Sequence, residues 1–249
     1  MRKFGLIGFP LSHSFSQKYF SEKFKKENIT DCVYENFSFP GIEELPALLS
    51  SEPDLVGLNV TIPFKQEVIP FLDFSNEVVQ QIAACNCIHI RNGKLFGFNT
   101  DVYGFEQSLK KNLKPYHIKA LILGTGGASK AVQYVIEKAG IDYKFVSRNP
   151  IPGSEKYISY EQTTPSLISA YHLIINTTPV GMYPNIDKYP ALPYHVISPQ
   201  HFLFDLIYNP AKTLFLQKGE EQGAVTQNGS DMLIIQAEES WKIWNDLSD

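Results

Sequence analysis

Lys119-Ala120-Leu121-Ile122-Leu123-Gly124-Thr125-Gly126-Gly127-Ala128 is a short apolar run that ends in a glycine cluster. The residues that follow, to about Ala139, carry a helical pattern. Glycines between a strand and a helix let backbone N–H groups and the helix N-terminus approach a pyrophosphate with no Cβ in the way. Gly124, Gly126 and Gly127 meet that requirement, although Ser129 stands where the generic fingerprint has glycine or alanine. A tight structural turn has the same composition, so the cluster needs its surroundings. Working outward, residues 143–147, 173–176 and 202–207 are candidate parallel strands. Three or four such strands with helices between them suit a small dinucleotide-binding domain.

The strand after the glycines sharpens this reading. It ends at Ser147-Arg148-Asn149, where an NAD-binding unit usually places an acidic residue for the ribose 2′-hydroxyl. A guanidinium there grips a 2′-phosphate by paired, charge-assisted hydrogen bonds, whereas a carboxylate repels it. Arg148 therefore points to NADP.

The first hundred residues alternate in the same way. Residues 4–7, 33–37, 56–60, 87–90 and 95–98 read as strands. Tyr19, Phe20 and Phe24 recur at helical spacing, with Glu22, Lys25 and Lys26 on the other face. Such alternation predicts an α/β layer with a mostly parallel sheet. Asn92-Gly93 between the last two runs signals a tight hairpin, so an antiparallel strand is expected at one edge. A boundary is expected near Asp101, and residues 230–247 read as one long helix that packs back on the first domain. The expected division is residues 1–101 with 230–249, and residues 102–229. Residues 183–199, rich in proline, read as a long loop.

Polar clusters follow several strands of the first block. Asn59-Val60-Thr61-Ile62-Pro63-Phe64-Lys65 ends an apolar strand, and Pro63 suits the first turn of a helix. Lys65 would then lie at the C-terminal edge of the sheet, where open α/β sheets bind ligands. Gly97-Phe98-Asn99-Thr100-Asp101 also follows a strand; if these ends are neighbours, Lys65, Asn86 and Asp101 converge. Near the start, Ser14 and Ser16 stand at a helix N-terminus, as a carboxylate cradle or as plain caps. His13 reads as an orienting rather than a catalytic histidine.

Composition narrows the classes. The 249 residues fit one or two domains, and 43% hydrophobic with 19% charged residues supports a sizeable core. A net charge of -4 argues against a nucleic-acid binder, whose affinity requires a basic surface. Cys32, Cys85 and Cys87 are too few and too oddly spaced for a disulfide framework or a zinc pair. No signal peptide or bilayer-length apolar stretch is present, so a soluble cytoplasmic protein is expected. The six histidines are scattered and predict no metal site. Monomer and homodimer are equally compatible with the sequence.

Taken together and in order, these clusters resemble shikimate dehydrogenases. The resemblance runs from Gly8–Ser16 through Asn59–Lys65, Asn86, Asn99-Thr100-Asp101 with Gly104, and Gly124–Ala128. It continues through Asn176-Thr177-Thr178-Pro179-Val180-Gly181-Met182, then Asp205-Leu206-Ile207-Tyr208-Asn209-Pro210 with Thr213, then Asn228-Gly229, Met232-Leu233 and Gln236. It implies an N-terminal substrate domain, a Rossmann-type NADP domain and a helix returning to the first. It implies reversible, NADPH-dependent reduction of 3-dehydroshikimate to shikimate, with Lys65 and Asp101 as the catalytic pair. Ser14 and Ser16 would bind the substrate carboxylate, with Tyr208 nearby; Asn59, Thr61, Asn86, Asp101 and Gln236 would hold the ring hydroxyls. Gly124, Gly126, Gly127, Ala128, Ser147, Arg148, Ile207 and the loop carrying Thr178, Pro179 and Met182 would surround the cofactor, with Gly229 near the nicotinamide. A quinate/shikimate dehydrogenase of broader choice, or a non-catalytic shikimate sensor, are the rival readings.

The chain also departs from the family pattern. Ser16-Gln17 replaces the usual Ser-Pro, and Tyr19-Phe20 replaces His-Asn. The usual Asn-Thr is Asn86-Cys87, which keeps the amide and drops a hydroxyl. Arg148 lacks the second basic residue usual in the 2′-phosphate loop, which implies a weaker preference for NADP.

Overall fold

The computed structural model describes residues 1–11 and 15–246. The chain forms two compact units, Met1–Thr100 together with the segment from Ala237 onward, and Asp101–Gln236.

The first unit is built on β1 (Arg2–Gly8), β2 (Cys32–Ser38), β3 (Leu55–Val60), β4 (Phe74–Ser75), β5 (Cys87–Arg91) and β6 (Lys94–Phe98), in spatial order β2-β1-β3-β5-β6-β4. β1 is parallel to both β2 and β3, whereas β5 runs antiparallel to β3 and β6. The expected hairpin is present. Asn92 and Gly93 both take positive φ, 50° and 71°, as its two-residue turn requires. The antiparallel strand, however, is not at an edge. It is β5, inside the sheet, and the edge belongs to the two-residue β4, which is parallel to β6. Periodicity cannot reveal a strand that short.

Side-chain alternation along the strands gives this sheet two buried faces. One packs Ile7, Leu58 and Val60 with Leu45 and Phe64, from α2 (Leu45–Ser51) and α3 (Phe64–Glu67). The other packs Phe4, Leu6 and Tyr34 with Phe20, Phe24 and Trp244. Those last three stand on α1 (Phe15–Lys26) and the C-terminal half of α9 (Ser230–Asn245). Trp244 lies so close over β3 that a Cβ at Gly57 would run into its indole ring. Its ring N–H donates to the Ile88 carbonyl at 2.9 Å. Two further helices, α4 (Glu77–Ile82) and α5 (Thr100–Lys110), flank the hairpin in sequence. The Asn76 side chain caps α4 by accepting from the Val79 N–H.

In the second unit β7 (Lys119–Leu123), β8 (Asp142–Val146), β9 (Tyr157–Ile158), β10 (Leu173–Asn176), β11 (Phe202–Asp205) and β12 (Val225–Gln227) form an all-parallel sheet, ordered β12-β11-β10-β7-β8-β9. This is the doubly wound, Rossmann-type arrangement, with its switch in direction between β7 and β10. It has six strands rather than the three or four expected; β9 and β12 are too short to show a period. α6 (Gly127–Lys138) buries Val132, Val135 and Ile136 at helical spacing. α7 (Pro165–Ala170) and α8 (Leu214–Glu220) are capped by Thr164 and Thr213. Residues 183–199 contain only a short 3-10 turn, Tyr194–Val196, as expected of a loop.

Candidate active site

In the first unit, the end of β3 and the start of β5 bring four of the expected substrate residues, Asn59, Thr61, Lys65 and Asn86, near one another. Gly8 allows β1 to end against the β3 terminus, because a Cβ there would come within 3.0 Å of the Ile62 carbonyl. The Thr61 N–H donates to the Ile7 carbonyl at 2.9 Å, and the Phe64 N–H to the Thr61 carbonyl at 2.9 Å, starting α3. Pro63 is the residue just before that helix. The Lys65 carbonyl accepts from the Cys85 N–H at 2.7 Å, which ties α3 to the segment entering β5 beside Asn86. Asn59 and Asn86 are buried, while Ser16, Thr61 and Lys65 are half-buried. Ser14 and His13 lie outside the described residues.

Asn86 is clamped to the start of α5. Its Oδ1 accepts from the Thr100 N–H at 2.6 Å and its Nδ2 donates to Thr100 Oγ1 at 3.0 Å. Neighbouring Asn99 donates to the Ala84 carbonyl at 2.9 Å. Among the described residues there is no group of His, Cys, Asp or Glu side chains placed to hold a metal ion. All three cysteines are free thiols.

In the second unit a cavity of about 570 Å³ opens at the C-terminal ends of the strands beside the switch point; that size suits a small-molecule ligand. The loop after β7 lines it with Gly124 and Gly126, the end of β8 with Ser147 and Arg148, and the loop after β10 with Thr178 and Pro179. Gly124 has a φ of 100°, and a Cβ on it would lie 2.7 Å from Thr178 Cγ2. Only glycine satisfies both conditions. Around Gly126 and Gly127 a Cβ would meet nothing within 4 Å, so space is open at the N-terminus of α6. The N–H groups of a first helical turn have no intrahelical acceptor. Ser129 is buried where a small residue was expected, and its hydroxyl folds back on the Gly126 carbonyl at 2.6 Å. Open glycine backbone, a helix N-terminus and an exposed Arg148 on one cavity form a donor set that fits a dinucleotide phosphate.

Other expected cofactor residues stand close by in the chain. Ala128 is in the first turn of α6, and Met182 is 44% exposed beyond the Thr178 loop. The Ile207 carbonyl accepts from the Gly229 N–H at 3.0 Å, and Gly229 packs against the Leu206 carbonyl with no room for a side chain. Tyr208 is 42% exposed. Asp101, in the first turn of α5, shares this unit with Gln236 of α9. The two helices meet at Gly104, where a Cβ would lie 3.1 Å from the Gln236 Cβ.

A family model for the shikimate dehydrogenase substrate binding domain matches residues 6–88. A shikimate dehydrogenase (NADP(+)) of Caldicellulosiruptor saccharolyticus is 36% identical, over 99% of this chain and 93% of that one. The chain belongs to the shikimate dehydrogenase family. Solved structures agree. A chorismate mutase/shikimate 5-dehydrogenase fusion protein from Clostridium acetobutylicum superposes with a TM-score of 0.86 at 35% identity, covering 100% of this chain and 93% of that one. The Thermus thermophilus shikimate 5-dehydrogenase, in complex with NADP(H) and shikimate, gives 0.85 at 29% identity, covering 98% and 94%.

Several residues around these candidate sites escaped the sequence reading. Tyr160, Tyr189, Pro190 and Ala191 line the cavity beside the expected loops. Tyr189 to Ala191 come from the loop of residues 183–199, where composition signalled only irregular structure. Burial raises the Tyr160 phenol, while the Arg148 charge pulls the other way. Tyr34 and Ser240 stand behind Asn59 with no motif to mark them. Asn176, Asp205 and Thr213 belong to recognised motifs, but their mutual contacts emerged only from the fold.

Proposed function

We propose that this chain interconverts shikimate and 3-dehydroshikimate with NADP as the redox partner, in the cytoplasm. The reading is carried by one observation above all. The glycine loop, the α6 N-terminus and Arg148 line a single cavity in a chain that aligns almost end to end with NADP-dependent shikimate dehydrogenases. NADP, when bound, supplies or accepts the hydride. Gly124, Gly126, Gly127 and Ala128 would hold its pyrophosphate, Ser147 and Arg148 its 2′-phosphate side. Thr178, Pro179, Met182, Ile207 and Gly229 would flank the rest.

For the substrate, Ser14, Ser16 and Tyr208 would take the carboxylate; Asn59, Thr61, Asn86, Asp101 and Gln236 would take the hydroxyls. Hydride addition to a ketone leaves negative charge on oxygen. A lysine ammonium stabilises that charge and donates the proton, and a neutral lysine removes it in the reverse direction. Lys65 is assigned this role, with Asp101 as its partner in proton transfer. Its place directly after β3, tied by backbone to the Asn86 segment, supports the assignment.

Initial rates of NADP⁺ reduction with shikimate test the activity, and parallel runs with quinate and with NAD⁺ test its limits. Shikimate with NADP⁺ should be the fastest pair. Lys65→Ala should lower kcat by about 100-fold or more, the range of general acid–base contributions, with a smaller change in KM. Near-wild-type kcat in that variant rules out the assignment of Lys65.

A further inference from the structure

Behind the expected substrate residues of the first unit, a line of buried hydroxyls and amides runs across the sheet. The Tyr34 hydroxyl donates to Asn59 Oδ1 at 2.8 Å, and Asn59 Nδ2 donates to Ser240 Oγ at 3.0 Å. Ser240 Oγ lies 3.2 Å from Thr100 Oγ1, which accepts from Asn86 Nδ2 at 3.0 Å. Ser240 also stands beside the Cys87 thiol. Asn59 and Cys87 are register partners on β3 and β5, so their side chains stand side by side on the face that α9 covers. Ser240 is fully buried, and Tyr34 is 4% exposed.

The donors and acceptors fix how both amides face. The Thr100 N–H can only donate, so it holds Asn86 Oδ1 as acceptor and turns Asn86 Nδ2 toward Thr100 Oγ1. The Thr100 hydroxyl, having accepted from Asn86 Nδ2, faces both Asn86 Oδ1 at 3.3 Å and Ser240 Oγ at 3.2 Å. Ser240 Oγ therefore accepts from Asn59 Nδ2 and shares a hydrogen bond with the Thr100 hydroxyl. The same contacts fix which way the Asn59 amide faces, with Oδ1 toward Tyr34 and Nδ2 toward Ser240.

We propose that Ser240 is a positioning residue for the substrate site. From α9 its hydroxyl holds the amide of Asn59 directly and reaches that of Asn86 through Thr100, beside a Cys87 that offers no hydroxyl. The proposal rests on the reading of those two amides as substrate ligands. Asn59 Nδ2 otherwise reaches only the Asn86 carbonyl at 3.4 Å, and a thiol is a weak hydrogen-bonding group, so without Ser240 one buried amide N–H would lose its good acceptor. Ser240 reaches that amide from a helix 181 residues further along the chain.

Steady-state kinetics on the full-length enzyme test this, with Tm recorded for every variant. Ser240→Ala should raise KM for shikimate by about 10-fold, the scale of one lost buried hydrogen bond, with KM for NADP⁺ unchanged and kcat within about 3-fold. Ser240→Cys, which keeps the shape, should raise the same KM. Adding Cys87→Ser to Ser240→Ala returns a hydroxyl from β5 and should restore most of the affinity. A wild-type KM for shikimate in Ser240→Ala overturns the proposal, as does an equal rise in both KM values or no recovery in the double variant. A fall in Tm with no selective change in KM also overturns it. Failure of the underlying reading looks different: Asn86→Ala would then bind shikimate normally, or the wild-type enzyme would not oxidise shikimate.

Discussion

Asp205 shows how much one buried carboxyl organises. It ends β11 fully buried and receives Asn176 Nδ2 at 3.0 Å, the Ile207 N–H at 3.1 Å and the Thr213 hydroxyl at 2.6 Å. Asn176, its register partner on β10, uses its own Oδ1 to accept from the Thr178 N–H at 3.0 Å and the Thr178 hydroxyl at 2.6 Å. The carboxyl thus anchors both the cavity-lining loop after β10 and the turn after β11. Burial pushes its pKa from 3.8 up to about 6, against the pull of those three donors. The folded chain then holds this proton more tightly than the unfolded chain. Its contribution to stability is complete below the unfolded value and is lost as pH rises through the folded one. Asp205→Asn, which cannot titrate, isolates the effect. Denaturant midpoints measured from about pH 4 to about pH 7 should show wild type losing stability relative to the variant up to about pH 6, then a constant difference. A difference independent of pH across that window would mean that Asp205 titrates as an ordinary carboxyl.

At the scale of elements, the α9–sheet contact depends on a missing side chain. Gly57 leaves the space that the Trp244 indole fills, and the indole N–H reaches the Ile88 carbonyl. Gly57→Ala should cost about 1–3 kcal/mol through overpacking. Trp244→Phe should cost about 1–3 kcal/mol through the lost hydrogen bond. The smaller ring relieves the clash, so the double variant should cost less than the sum by at least about 0.5 kcal/mol in urea unfolding. Strict additivity would place the two residues out of contact. Elements of this kind were unevenly legible. Asn92-Gly93 announced its turn because both positions need positive φ, and the glycine loop announced a strand-to-helix turn for a similar steric reason. The inner place of β5, the two-residue β4 and β9, and the Tyr189 to Ala191 lining had no local cause. Sheet order and a loop's reach are set by tertiary packing, which sequence periodicity does not record.

For the molecule as a whole, the motifs located the candidate chemistry but not the groups that support it. Lys65 and Arg148 follow strands and Asn86 leads into one, so their positions were readable from pattern and resemblance. Ser240 and Tyr34 act on Asn59 only because the chain folds distant segments together, and an isolated serine in a helix carries no sign of that. The same long-range closure defines the two units. The segment from Ala237 onward belongs with Met1–Thr100, contributing Ala237, Trp241 and Trp244 to the cluster around Phe4, Phe20 and Phe24. A chain ended after Gln236 should therefore lose the packing of its first unit while keeping the all-parallel sheet and the nucleotide cavity of its second. We expect such a truncation to bind 2′,5′-ADP within about 10-fold of wild type by calorimetry, since no cavity residue is removed. It should lose shikimate oxidation and a large part of its near-ultraviolet signal, because the stacked aromatic cluster is opened. Loss of nucleotide binding in the truncated chain would show that the second unit does not hold its fold without those residues. Retained turnover would show that the first unit does not need its returning helix.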